Sequence, residues 1–159
     1  MKKINVGIIG YGWAATAHID AINATGMAQV TNVYSSRLLD DDELSARHGG
    51  RIKSTVKLKD IYSDPNIDVI DITSYPYQHA DQVVAAAKAG KHIIVEKPLT
   101  LAKRDLNRMT KAVKQAKVKT CVCFEVRFSA EFLTQVRMPT CLSLSLSLSL
   151  SLSLSLSLS

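Results

Sequence analysis

Cysteine is scarce in this sequence. Three occur among 159 residues, Cys121, Cys123 and Cys141, and none stands at metal-ligand spacing from another or from the four histidines. No metal site is therefore expected. Cys121 and Cys123, two apart on an expected strand, read as free thiols buried on one face in a reducing cytosol. A long apolar run is missing too. The N-terminus, Met1-Lys2-Lys3-Ile4-Asn5-Val6, enters a hydrophobic stretch too short for a signal peptide and lacks a small-residue cleavage site. A cytoplasmic protein without a membrane segment is expected. Acidic residues are outnumbered, 14 against 20 Lys and Arg, giving a formal charge of +6. That balance permits anion binding, but much of the excess falls at Lys103, Arg104, Arg108, Lys111, Lys114 and Lys117, interleaved with an apolar stripe. A solvated helix face is the reading, with no nucleic-acid partner.

Hydrophobic residues make up 47% and charged residues 21%, the balance of a globular protein and not of a disordered chain. The length suffices for one domain with a real core. The last stretch breaks the pattern. From Leu142 to Ser159 Leu and Ser alternate strictly, with no charge, glycine or proline to end a strand or shape a turn. Read as structure it is an apolar-in, polar-out strand of unnatural length. A CT dinucleotide repeat, however, translates as Leu-Ser indefinitely, so residues 142–159 read as a low-complexity tail and 136–141 as a junction where the reading frame is lost. The domain is expected to span 1–135 and to be truncated. The tail is also a candidate for edge pairing and aggregation.

Within residues 1–135 short apolar runs alternate with helical patterns. Ile4 to Ile9 is a strand buried on both faces, and Ala14 to Ala24 a helix with Ala14, Ala17, Ala21 and Ile22 inward, stopped at Gly26. Gln29 to Tyr34 is a second strand, Leu39 to His48 a helix closing on Gly49-Gly50, and a weak strand is expected near Ile52. A short helix at Leu58 to Tyr62 leads through Asp64-Pro65 to a strand at Asp68 to Ile72, then a helix from His79 to Ala89 and a strand at His92 to Val95. Ala102, Leu106, Met109, Val113 and Ala116 trace one stripe of a long helix before a sixth strand at Thr120 to Phe124. About six strands alternating with helices predict an α/β fold, a doubly wound parallel sheet of the Rossmann type.

Three clusters carry chemistry. Gly10-Tyr11-Gly12-Trp13-Ala14-Ala15 fits G-x-G-x-x-A at a strand-to-helix junction. Gly10 makes the tight turn, Gly12 lets the backbone approach a pyrophosphate, and Ala15 allows close helix packing, with Tyr11 and Trp13 beside the ligand. At the end of strand two, where an Asp or Glu would bind the ribose 2′-hydroxyl of NAD, the sequence has Ser35-Ser36-Arg37. Two hydroxyls and a guanidinium suit a 2′-phosphate, so NADP is favoured over NAD. The competing reading makes Arg37 a solvated residue paired with Asp40 to Asp42. Third, Glu96-Lys97-Pro98 follows strand five at the edge where ligands of such sheets bind.

The glycine fingerprint, Ser74-Tyr75-Pro76-Tyr77-Gln78-His79, Ala87-Lys88-Ala89-Gly90-Lys91-His92 and Glu96-Lys97-Pro98 occur here in one order. Together they resemble the glucose-fructose oxidoreductase, inositol dehydrogenase and rhizopine-catabolism family, Gfo/Idh/MocA, over about residues 3 to 135. The resemblance implies an N-terminal Rossmann domain followed by an α/β domain with a large open sheet, the latter absent from this sequence. It implies a nicotinamide-dependent enzyme acting on a small-molecule sugar or polyol, with a homo-oligomeric whole protein left open. By position it sets Lys97 beside the nicotinamide and the reacting carbon, as the catalytic residue, and Glu96 near the nicotinamide ribose. It also matches Ser74 and His79 to the loop after strand four, Arg127 to a cofactor-side arginine after strand six, and Lys97-Pro98 to a bond that is often cis in the family. Two departures stand out: Ser74-Tyr75-Pro76 replaces the usual Thr-Pro-Asn, and Glu125 stands where asparagine is frequent. The family's second proton-transfer pair belongs to the C-terminal domain, so this chain is expected to bind cofactor without turnover. A non-catalytic NAD(P)-binding module and an S-adenosylmethionine-binding domain are the alternatives.

Overall fold

Ile4–Ile9 forms the first strand, β1, because its apolar side chains have somewhere to go on both sides. Alternate residues point to opposite faces. Val6 and Ile8 join Ala15, Ile19, Val30, Val33, Leu44 and Ile52 in one core, while Ile9 joins Ile61, Ile70, Ile72, Val83, Ile93, Val95 and Met109 in another. A strand sandwiched between two cores is the mark of a sheet with helices on both faces.

The computed structural model describes residues 2–124. After β1 come α1 (Trp13–Ala24), β2 (Ala28–Tyr34), α2 (Asp41–His48), β3 (Lys53–Thr55) and α3 (Leu58–Ser63). Then follow β4 (Val69–Ile72), α4 (Pro76–Lys88), β5 (His92–Glu96), α5 (Lys103–Ala116) and β6 (Thr120–Cys123). These six strands are all parallel, in the order β3-β2-β1-β4-β5-β6. The chain builds outward from β1 in one direction, then returns and builds in the other from β4. The doubly wound Rossmann sheet expected from the sequence is therefore present. Strand order reverses between β1 and β4, and a crevice at their carboxyl ends is where such sheets bind ligands.

Several local expectations shift. In α1 the buried residues are Ala15 and Ile19, whereas Ala17 and Ala21 are exposed. Alanine is small enough to sit on either face, so the isoleucines decide which face turns inward. β3 begins at Lys53, and Ile52 itself is a core residue just before it. α4 starts at Pro76, a turn earlier than expected, because proline is tolerated in the first helical turn, where its missing N–H has no partner to lose. The α5 stripe holds at Leu106, Met109, Val113 and Ala116, but Ala102 is the exposed N-cap. The two thiols are a correction: Cys121 is exposed and Cys123 half-buried. Among the described residues β6 is the edge strand, paired only with β5, and Val122 turns toward the core of Ile93 and Val95 while Cys121 and Cys123 face the other side.

No helix among the described residues is long and apolar enough to cross a membrane.

Candidate functional site

The turn after β1 is held against the turn after β4. Gly10 has φ +102, and a Cβ on it would lie 3.0 Å from the Ser74 nitrogen and 3.1 Å from Ser74 Cα and the Thr73 carbonyl carbon. Only glycine combines that backbone angle with that close approach. The Gly10 N–H donates to the Tyr34 carbonyl at 3.0 Å, and the Thr73 hydroxyl donates to the Gly10 carbonyl at 3.2 Å. Three strand ends are thereby tied into one floor.

Gly12 differs. Its backbone is extended, φ −120 and ψ −166, and a Cβ there would meet nothing within 4 Å. It is the N-cap of α1, which has no side-chain cap and no acidic residue in its first turn. Among the described residues no side chain caps this helix end, and the space beside Gly12 is open, an arrangement that suits a pyrophosphate. Trp13 beside it is 83% exposed, and Ala15 is fully buried under the helix, as close packing requires. Tyr11 is fixed from behind. The Asp20 carboxylate accepts from His48 Nδ1 at 2.6 Å, which leaves Nε2 to accept the Tyr11 hydroxyl at 3.0 Å.

At the end of β2, Ser35 is buried and its hydroxyl accepts the Arg37 N–H at 3.3 Å, while Ser36 and Arg37 are exposed. The acidic residues nearby have other work. Asp40 caps α2, accepting from the Asp42 and Glu43 N–H groups at 2.9 Å, and Asp41 accepts from the Ser54 N–H at 2.6 Å. Among the described residues no ion pair involves Arg37.

The loops after β4 and β5 meet through His79. The ring is fully buried, with Nδ1 2.9 Å from the Pro98 carbonyl and Nε2 3.0 Å from the Ser74 carbonyl. It can influence a ligand only through the two loops it joins. The Ser74 hydroxyl likewise turns inward, donating to Gln82 Oε1, so Ser74 presents backbone to the glycine turn. The Lys97-Pro98 bond is cis, and Lys97 is exposed at the sheet's carboxyl edge. Arg127 and Glu125 lie outside the described residues.

Glu96 is buried and engaged on both oxygens. Oε1 lies 2.9 Å from His18 Nε2, and Oε2 accepts the Lys97 N–H at 3.0 Å. The other ring nitrogen of His18 lies 2.8 Å from Asp71 Oδ2, and Cys123 Sγ sits 3.6 Å from Nε2. The Asp71 hydrogen bond is the largest influence on His18 and holds its pKa above the ordinary 6.5, against the opposing effect of burial. Burial pushes the Asp71 carboxyl up, with His18 pulling back. An imidazolium between two carboxylates fits both nitrogen contacts.

Sequence reasoning missed His18 and Asp71. The available signal was Asp71 itself, a charged residue within the apolar strand Val69-Ile70-Asp71-Ile72. A carboxylate in a strand buried on both faces must have a partner. A hollow of about 470 Å³ lined by Lys2, Lys3, Asp68, Lys91 and His92 lies at the opposite edge of the sheet and contains none of these groups.

The family profile described as an oxidoreductase family with an NAD-binding Rossmann fold, Gfo/Idh/MocA, matches residues 4–124. Levoglucosan dehydrogenase of Pseudarthrobacter phenanthrenivorans is 36% identical over 134 residues, covering 80% of this chain and 34% of the relative. Myo-inositol 2-dehydrogenase of Thermotoga maritima is 31% identical over 132 residues, covering 81% and 38%. A solved structure of levoglucosan dehydrogenase in complex with NADH and levoglucosan superposes with a TM-score of 0.71 at 34% identity, covering 79% of this chain and 36% of that one. The chain thus spans between 34% and 38% of the length of these relatives.

Proposed function

This chain belongs to the Gfo/Idh/MocA oxidoreductase family, and from that premise we propose that residues 1–135 are the cofactor domain of an NADP-dependent enzyme acting on a sugar or polyol. The observation that carries the reading is Gly12: open space beside an uncapped helix N-terminus, at the point where strand order reverses. Residues 142–159 are read as a tail with no part in it. The bound nicotinamide would supply the hydride acceptor or donor. The chain's own residues do the rest. Gly10, Tyr11, Gly12 and Trp13 shape the pyrophosphate turn, Ser35, Ser36 and Arg37 take the adenosine side, and Ser74 and His79 set the floor. Glu96 steadies the ribose end, Arg127 adds a cofactor-side charge, and the Lys97 ammonium gives or holds the proton at the substrate oxygen.

The preference for NADP is supported by the exposed Arg37, by the absence of an acid at the end of β2, and by the engagement of Asp40 and Asp41 with backbone N–H groups. The relative solved with NADH and levoglucosan makes the opposite preference a real competitor. Calorimetry should find NADPH bound more tightly than NADH. Arg37→Ala should weaken NADPH by about 1 to 3 kcal/mol, roughly 5- to 150-fold, and leave NADH unchanged. Equal affinities for the two would overturn the assignment.

The 159 residues alone are expected to bind without turning over. Positioning the substrate carbon against the nicotinamide is worth roughly 7 to 11 kcal/mol, and this chain supports one wall of such a site. Trp13, Tyr75, Tyr77 and Leu101 stand exposed in the loops and first helical turns at that edge, where a second wall would cover them.

A further inference from the structure

We propose that His18, Glu96 and Cys123 form a site for a thiophilic divalent cation of the zinc class, which shares Glu96 with the dinucleotide reading. The three donors come from three elements: an imidazole from α1, a carboxylate from the end of β5 and a thiol from the end of β6. Their ligand atoms all lie within 4.8 Å of one another. Tetrahedral zinc with its usual bond lengths separates sulfur from nitrogen by about 3.6 Å and nitrogen from oxygen by about 3.4 Å. Cys123 Sγ is already 3.6 Å from His18 Nε2, and Glu96 Oε1 lies 2.9 Å from Nε2.

The surroundings point the same way. Asp71 Oδ2 holds His18 Nδ1 at 2.8 Å, the carboxylate-histidine arrangement that fixes the tautomer and turns Nε2 toward a metal. Asp71 is fully buried, and among the described residues its Oδ1 has no hydrogen-bond partner. Sulfur and imidazole in one set select a zinc-like ion over calcium or magnesium, which take oxygen ligands. On binding, the Nε2 and Sγ protons pass to solvent as the metal bonds form, so two protons leave for one divalent ion and the charge of the cluster is unchanged.

Cobalt(II) serves as the probe. The metal-free 159-residue chain titrated with Co²⁺ should develop thiolate-to-cobalt absorption that saturates at one equivalent and is displaced by Zn²⁺. Cys123→Ser should abolish that absorption, Cys121→Ser should leave it unchanged, and Asp71→Asn should weaken binding about 10- to 100-fold. A measurement on the unaltered chain guards against variants that do not fold: Zn²⁺ should slow alkylation of Cys123, mapped by mass spectrometry, more than that of Cys121. Absorption that survives in Cys123→Ser, or alkylation of Cys123 that ignores Zn²⁺, would overturn the proposal.

Discussion

Gly12→Val is expected to abolish dinucleotide binding while leaving the domain folded. The Gly12 backbone is extended and its Cβ position is open, so valine fits without strain or collision. Glycine is the better N-cap, which makes the stability loss about 1 kcal/mol or less. The valine methyl groups, however, fill the space in which a pyrophosphate must touch the backbone. Gly10→Ala should behave in the opposite way. With φ +102 and a Cβ 3.0 Å from backbone, it should lose about 2 to 5 kcal/mol of stability through backbone strain and overpacking. Circular dichroism melts and NADPH titrations on both variants separate these effects. A Gly12→Val protein that binds NADPH normally would show that the ligand lies elsewhere.

Removing His18 should be the most destabilising change at the sheet's carboxyl edge. His18→Ala leaves Asp71 and Glu96 buried without their shared partner, and breaking such a pair typically costs about 3 to 5 kcal/mol. The pH dependence has a definite sign. Because the folded pKa of His18 is raised above 6.5, its stabilisation is fully present below that value and is lost as pH climbs through the folded value. Asp71, raised by burial, also makes the folded state bind protons more tightly than the unfolded chain, so its contribution likewise falls as pH rises above 3.8. The deficit of His18→Ala relative to the unaltered chain should therefore shrink as pH climbs through the folded value of His18, where the imidazolium loses its proton. Urea denaturation across about pH 5 to 8 tests this; a deficit that does not vary with pH would contradict the arrangement.

The fold was legible because its strands are buried on both sides. Ile8 and Ile9, Ile70 and Ile72, and Ile93 and Val95 leave continuous apolar runs that stand out between helices. The glycine turn was legible for a similar reason, since Gly10 answers a backbone constraint that a sequence records directly. Side-chain direction was not. The motif assigns Ser74 and His79 to the cofactor, but the hydroxyl and the ring both turn inward to hold loops. Cys123 and His18 are 105 positions apart, so no local spacing could announce their contact. In α1, alanines gave no direction, and the isoleucine at position 19 chose the buried face.

The central claim is that a nicotinamide dinucleotide binds at the Gly10–Gly12 turn. Trp13 is the only tryptophan and stands exposed beside that turn, so its fluorescence reports directly on occupancy. Titrating the folded 159-residue chain with NADPH should give a saturable, one-to-one change in Trp13 emission, tighter than with NADH, and the same chain should not reduce NADP+ when sugars or polyols are added. A chain that is folded by circular dichroism yet shows no saturable response to either nucleotide would contradict the account.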